Sequence, residues 1–453
     1  MSPVPTLLSL FAEDLKKLHT QIPTEPGKLI RLSKSLGNSF SILDRIKESG
    51  SPERFYFKSK EATFELGGIG EGVLIAGKSE EKISTQLDMV WKKDPHIRFF
   101  GGMRFESSAS SGKEWAPFGN YRFIVPFVEF CRIDETVQVT LTFRLDSASE
   151  LETAIEKIGK RLREADIVNT MPHKLSIPVV KTNMQIPEKP QWLEIIGKAL
   201  RMIRRQEIGK IVLARKNILT AADPWSPEWI IGKLASIREN AFLFLYQPGA
   251  GNTFLGRSPE RLFKLSKTSL TIDAIAGTEP RGATAEEDRH YAEALIGSPK
   301  EREEQQIVAR YVNDKMSHLC SETLTNTDEQ VLKLDKVQHL VTRFCGTPRK
   351  GLTAFETLQS LHPTPAVGAD PPDAAGMISE LEPFERGWYA GPIGWMNKHS
   401  AEFAVAIRSA LLTGLELHIF AGAGIVEQSD PDREWHEIDD KMSNFSFITG
   451  AQA

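Results

Sequence analysis

TVQVTLTFRL, residues 136–145, sets Val137, Val139, Leu141, Phe143 and Leu145 in strict alternation with polar side chains. Successive side chains of an extended strand point to opposite faces, so this pattern specifies an antiparallel strand with one face in the core and one in water. RFYFKSKEATFELGG (54–68), IRFFGGMRF (97–105) and YRFIVPFVEF (121–130) read as further strands. The helix SELETAIEKIGKRLREAD (149–166) follows them. SIPVVKTNMQIPEKPQW (176–192), with prolines and polar residues and no periodicity, reads as a seam between an N-terminal α+β part, 1–175, and a catalytic part, 176–453. Beyond it helices are expected near 190–207, 226–239, 352–360 and 371–380, with two more in 285–320. Strands are expected in KIVLARKNIL (210–219), FLFLYQ (242–247), the stretch 253–275, ERGWYAGPIGWM (385–396) and AEFAVAIRSALL (401–412). Strands come in clusters rather than in βαβ alternation. The fold class is therefore α+β, not a doubly wound sheet.

Composition excludes several functions. The chain has 453 residues, 40% hydrophobic and 26% charged, with a formal net charge of −4. Its length alone allows roughly three domains, and one or two are expected. No basic excess points to nucleic acid. Cys131, Cys320 and Cys345 are too few for a disulfide framework and too widely spaced for a metal knuckle, which suits a reducing cytoplasm. The longest apolar runs fall short of a membrane span, and the N-terminal stripe Leu7, Leu8, Phe11, Leu15, Leu18 has helical spacing rather than the form of a signal peptide. GGIGEGVLIAG (67–77) and GAGIVE (422–427) lack the glycine spacing of dinucleotide sites, and there is no phosphate-binding P-loop.

Two stretches carry candidate chemistry. In DPDREWHEIDDK (430–441), Ser429 or Asp430 can cap a helix and Pro431 suits its first position. Glu434, Glu437 and Lys441 then share one face. By itself this is a solvated charged face, or a cation site with a lysine to hold an anion. SPKEREEQQIVARYVNDKMSHL (298–319) is a second capped helix, and Glu304 lies on the same face as its apolar residues Ile307 and Val308. A carboxylate there needs a partner. That partner is either a salt bridge or a shared hard cation such as Mg²⁺.

The chain resembles the chorismate-utilising enzymes, and among them the isochorismate synthases, the menaquinone-pathway type most of all. The motifs are GKIVLARK (209–216), GRSPERLFK (256–264), AIAGTEPRG (274–282), SPKEREEQ (298–305), VQHL (337–340), HPTPAVG (362–368), ERGWYAGPIGW (385–395), AIRSALL (406–412) and GAGIVEQSDPDREWHEIDDK (422–441). They span roughly 190–446 in the family's order, and the likeness extends weakly into 100–126. The resemblance implies a large single body with antiparallel sheets packed inside flanking helices. It implies Mg²⁺ on Glu304, Glu434 and Glu437, and chorismate as the small-molecule substrate. Arg408 and Lys441 would hold a carboxylate, with Gly277, Thr278, His339, Tyr389, Gly422, Ala423 and Gly424 lining the pocket. Lys210 would be the general base toward an attacking water and Glu260 the general acid toward the departing hydroxyl. Chemistry of this kind asks for a neutral lysine and a protonated glutamate, both of which burial favours. Arg257 and Arg261 flank Glu260 and are expected to point away from it. Ala276 stands where aminodeoxychorismate enzymes often carry a lysine, and Gln305 where the family often has a histidine. The tryptophan-sensing Leu-Leu-Glu-Ser pattern of anthranilate-forming members is absent. A salicylate synthase is the nearest rival reading, and a non-catalytic binder of an acidic metabolite a remote one. A siderophore pathway is an alternative outlet to menaquinone. No nucleic acid, membrane or obligate protein partner is implied.

Overall fold

The computed structural model describes residues 6–18, 28–37, 40–77, 80–106, 112–145, 151–166, 178–237, 240–326, 329–334 and 337–448. Among them, 20 strands join in one continuous network in which every pairing is antiparallel, with eleven α-helices packed around it. The α+β expectation holds, as does the single large body. The expected boundary at 175/176 lies outside the described residues.

TVQVTLTFRL forms the strand Thr136–Leu145, paired with Lys28–Leu36 on one side and Tyr121–Ile133 on the other. Val137, Val139, Leu141 and Phe143 are buried. Its other face is less wet than the alternation predicts. Thr140 and Thr142 are buried too, and Thr140 hydrogen-bonds to Ser33 through the hydroxyls at 3.0 Å. The N-terminal and C-terminal parts share the sheet: Glu53–Lys58 pairs with Phe242–Pro248, and Phe99–Met103 with Pro392–Met396. SIPVVKTNMQIPEKPQW contains an unexpected strand, Val180–Ile186, paired with Lys210–Ala221. Most of its side chains are exposed, so no apolar alternation marks it.

From Tyr121–Ile133 the network runs outward in two arms. One passes through Phe64–Gly77, Glu53–Lys58, Phe242–Pro248, Asn252–Ser258 and Ser409–Thr413 to Glu416–Ile425 and Lys210–Ala221. The other passes through Phe99–Met103, Pro392–Met396, Ala401–Val405 and Arg261–Leu265 to Leu270–Pro280 and Val337–Pro348. The far strands of both arms line one cavity. Residues more than 200 apart in sequence meet there because the sheet folds over on itself.

Of the expected strands that are interrupted, two have breaks that matter for the cavity. In 385–396 only Pro392–Met396 is extended; Ala390 takes φ 60°, which turns the chain just ahead of it. Trp388 then enters an aromatic core with Tyr246 and Phe118, at ring-centroid distances of 4.9 and 5.4 Å, while Tyr389 lines the cavity. In 401–412 the strands Ala401–Val405 and Ser409–Thr413 are separated by Arg408 at φ 50°. A non-glycine residue in the left-handed region costs free energy and persists only where its surroundings impose it. Here it mounts Arg408 on the cavity wall.

Candidate active site

Helix Pro431–Met442 begins as its sequence dictates. Asp430 caps it by accepting from Asp432 and Arg433 N–H at 3.1 and 2.9 Å, and Pro431 takes the first position. Its faces divide sharply: Asp432, Arg433, His436, Asp439 and Asp440 are exposed, whereas Glu434 is fully buried and Glu437 and Lys441 are half-buried. The inner face is therefore not a solvated one. Lys441 Nζ lies 2.6 Å from Glu437 Oε1 and donates to Gly422 O at 3.0 Å, which ties the helix to strand Glu416–Ile425.

Helix Pro299–Leu319 is capped by Ser298, whose hydroxyl accepts from Glu301 N–H at 3.3 Å. Glu304 is buried on its inner face. Glu301, one turn earlier on that face, also belongs to the site: Oε2 accepts from Thr278 N–H at 2.7 Å. Its i, i+3 relation to Glu304 made this second carboxylate legible in the sequence, and sequence reasoning missed it. Lys300, also missed, reaches into the carboxylates. Its Nζ lies 3.1 Å from Glu301, 2.8 Å from Glu434 and 4.0 Å from Glu437. Burial alone would push the Lys300 amine down, but Glu437, Glu434 and Glu301 outweigh it and hold it well above its ordinary value. Burial and the neighbouring Glu437 charge raise Glu434, while Glu437 overcomes its own burial through Lys441 and Lys300 and is lowered. Two adjacent carboxylates thus take opposite protonation preferences.

The cavity is lined by Glu260, Ile275, Ala276, Gly277, Thr278, Glu304, His339, Tyr389, Arg408, Gly422, Gly424 and Lys441, among others. Ten of the expected site residues converge there. Ala423, between two lining glycines, is fully buried and does not line it, as strand alternation requires. Glu434, Glu437 and Lys210 stand behind the wall. Lys210 is fully buried, with Nζ 2.9 Å from Glu304 Oε1. Its nearest carboxylate is thus Glu304, which lines the cavity.

Glycine is required at two of these positions. A Cβ at Gly424 would stand 2.0 Å from Glu304 Oε1 and 3.0 Å from Lys210 Cε. Gly277 has φ +75°, and this turn presents the Thr278 N–H to Glu301.

Glu260 sits in the break between strands Asn252–Ser258 and Arg261–Leu265. Burial raises its carboxyl to about 7, with Lys210 and Lys441 pulling the other way. Arg261 turns from it as expected and pairs with Glu402 at 3.0 Å and Asp273 at 3.5 Å. Arg257 donates its main-chain N–H to Arg408 O at 3.0 Å. His339 Nδ1 lies 2.9 Å from Gly277 O and 3.2 Å from Thr278 Oγ1. Burial, then Arg408 and Lys441, push it down to about 3, so it is neutral at pH 7. Gln305 donates to Ala274 O at 3.0 Å and Thr342 Oγ1 at 3.2 Å, pinning the helix to the sheet.

A buried pair outside the expected set braces the wall. Arg386 donates to Val212 O and Val367 O, each at 2.8 Å, and to Glu382 Oε2 at 2.9 Å; Glu382 Oε1 accepts from Ala214 N–H at 2.7 Å. Val212 and Val367 both line the cavity.

The arrangement offers cations for an anionic ligand, a protonatable acid on the wall and a lysine behind it. No described helix is long and apolar enough to cross a membrane. Comparison with known proteins covers nearly all of the chain. The isochorismate synthase MenF of Bacillus subtilis is 29% identical over 97% of this chain and 97% of its own. Isochorismate synthase 2 of Arabidopsis thaliana, chloroplastic, is 32% identical over 90% of this chain and 75% of its own. The solved structure of MenF, the menaquinone-specific isochorismate synthase from Escherichia coli, superposes with a TM-score of 0.83 at 25% identity, covering 97% of this chain and 99% of that one. With the chorismate binding enzyme model matching residues 16–448, the chain belongs to the chorismate-binding enzyme family.

Proposed function

We propose that this chain is an isochorismate synthase of the menaquinone type, converting chorismate to isochorismate with Mg²⁺. The observation that carries the reading is Glu260: a buried carboxyl raised to about 7, facing a cavity that also presents Arg408 and Lys441. A dicarboxylate ring substrate needs cations to hold it, and loss of a hydroxyl needs an acid that keeps its proton near neutrality.

In this reading Arg408 holds a substrate carboxylate in a two-pronged grip and Lys441 adds a point charge. Water attacks C2 as Lys210, in its neutral amine form, takes its proton. The double bonds shift, the C4–O bond breaks, and the departing hydroxide leaves as water with the proton of Glu260. One water enters and one leaves. Tyr389, neutral His339 and the Gly277–Thr278 turn shape the pocket around the ring.

Magnesium fits the carboxylates. Glu434 is fully buried, and Glu301, Glu304 and Glu437 stand around the same Lys300 ammonium with oxygen donors of the kind a hard cation prefers. Lys300 Nζ stands within 4.0 Å of Glu301, Glu434 and Glu437, among these same carboxylates. When bound, the ion would neutralise the ring carboxylate of the substrate. The three cysteines are free, which suits the cytoplasm.

The test is product analysis of purified protein with chorismate. Isochorismate should form with Mg²⁺, cease with EDTA and return when Mg²⁺ is restored; metal-independent turnover would refute the magnesium site. Salicylate and pyruvate as main products would make the chain a salicylate synthase instead.

A further inference from the structure

Lys300 has no part in the chemistry above, yet its ammonium stands within 4.0 Å of three carboxylates: Glu301, Glu434 and Glu437. Its side chain is 19% exposed and reaches in from the first turn of helix Pro299–Leu319. The Glu434 contact, at 2.8 Å, is the shortest of the three, and Glu434 itself is fully buried. An ammonium brings a single positive charge and three N–H donors, so it offsets only part of the charge of three carboxylates and cannot coordinate them as a divalent ion would.

We propose that Lys300 is a resident counter-ion for the metal-free site, displaced when Mg²⁺ enters. This rests on the reading of these carboxylates as the magnesium site. Without a cation the cage would hold several acidic groups in a buried space, which is costly unless they are paired. Lys441 pairs with Glu437 and Lys210 with Glu304, and Lys300 supplies the pairing for Glu434 and Glu301. The divalent ion offers more charge and true coordination, so the two cations compete for the same oxygens.

The exchange reaches the substrate pocket through Glu301. This residue accepts from Thr278 N–H with one oxygen and touches Lys300 with the other. Release of Lys300 therefore changes the load on the group that holds the Gly277–Thr278 turn.

Two measurements, neither using chorismate, test the exchange. The first is Mg²⁺ binding by calorimetry to wild type and to Lys300→Met. A ligand whose competent state is only partly populated binds more weakly by that fraction, so removing the competing ammonium should tighten Mg²⁺ binding by about 5-fold or more. The metal-free variant should also melt at lower temperature than wild type while Mg²⁺ closes the gap. The second uses wild type alone, so it stands even if the variant does not fold: amine acetylation of Lys300, followed by mass spectrometry, should accelerate on adding Mg²⁺. Unchanged or weaker Mg²⁺ binding by the variant, a Mg²⁺-insensitive melting gap, or labelling that is unchanged or slowed overturns the exchange. A wild-type protein that binds no Mg²⁺ overturns it together with the magnesium reading, whatever its activity on chorismate.

Discussion

Glu260 keeps its proton near neutrality because burial penalises its charged form more than Lys210 and Lys441 reward it. As the acid of the proposed reaction it must be protonated, so kcat/KM should fall as pH rises through about 7. The sign for stability follows from the same shift. A carboxyl raised in the fold loses stability as pH climbs from its unfolded value to its folded one, and the loss is complete above about 7. Glu260→Gln is thus expected to lose turnover by about 100-fold or more. At pH 8 it should nonetheless unfold at higher denaturant than wild type, by a margin on the order of a few kcal/mol. A variant both inactive and destabilised at pH 8 would argue against the buried-acid account. Lys210→Ala tests the other half of the proton path: turnover should be abolished while calorimetric binding of chorismate survives. Wild-type turnover in that variant would remove Lys210 from the base role. Glu260 and Lys210 were legible from their motifs, GRSPERLFK and GKIVLARK. Lys300 was not, because a lysine among glutamates at a helix start reads as surface charge until Glu434, 134 positions on, is seen beside it.

At the scale of elements, the site is held by a strand and two helices whose inner faces press closely together. Gly424 is the narrowest point: its missing side chain leaves room for Glu304 from one helix and Lys210 from the neighbouring strand. Gly424→Ala should therefore push the ion pair apart. Overpacking of this kind costs about 1–3 kcal/mol, and the loss of activity should exceed what that destabilisation explains. Denaturant melts alongside steady-state rates at saturating substrate check the separation; unchanged activity would mean that the pair tolerates displacement. The helices themselves were predictable, since Ser298–Pro299 and Asp430–Pro431 are local start signals that act within a turn. Which face of Pro431–Met442 turned inward was not legible in the helix's own residues and was expected only from the family resemblance. Glu434 and Asp432 differ only in what the rest of the chain lays against them. The edge strand Val180–Ile186 escaped notice for a related reason, because an edge with exposed side chains carries no hydrophobic alternation.

At the scale of the molecule, one antiparallel network folds over so that its two arms close the cavity. The Glu382–Arg386 pair braces the closure, joining Val212 and Ala214 of one arm to Val367 in the segment that follows helix Ala354–Leu361. Arg386→Leu would strand a buried carboxylate and free two carbonyls. Breaking a buried pair in this way costs about 3–5 kcal/mol, so the variant should unfold at clearly lower urea than wild type. Glu382→Gln with Arg386→Leu should recover part of the loss, because no charge is then left unpaired. A single variant within about 1 kcal/mol of wild type would show that solvent reaches the pair.

The sequence by itself determined the α+β class, the helix starts, most strands and, through its motifs, the family and most of the lining residues. These are local properties: alternation, caps and short ordered segments act over a few residues. Only the tertiary structure decided that Lys210 pairs with Glu304, that Arg408 stands at a left-handed break and that Lys300 sits among the carboxylates. Each of those depends on groups far apart in the chain meeting out of water, where burial and a neighbouring charge, rather than residue type, set what a side chain can do.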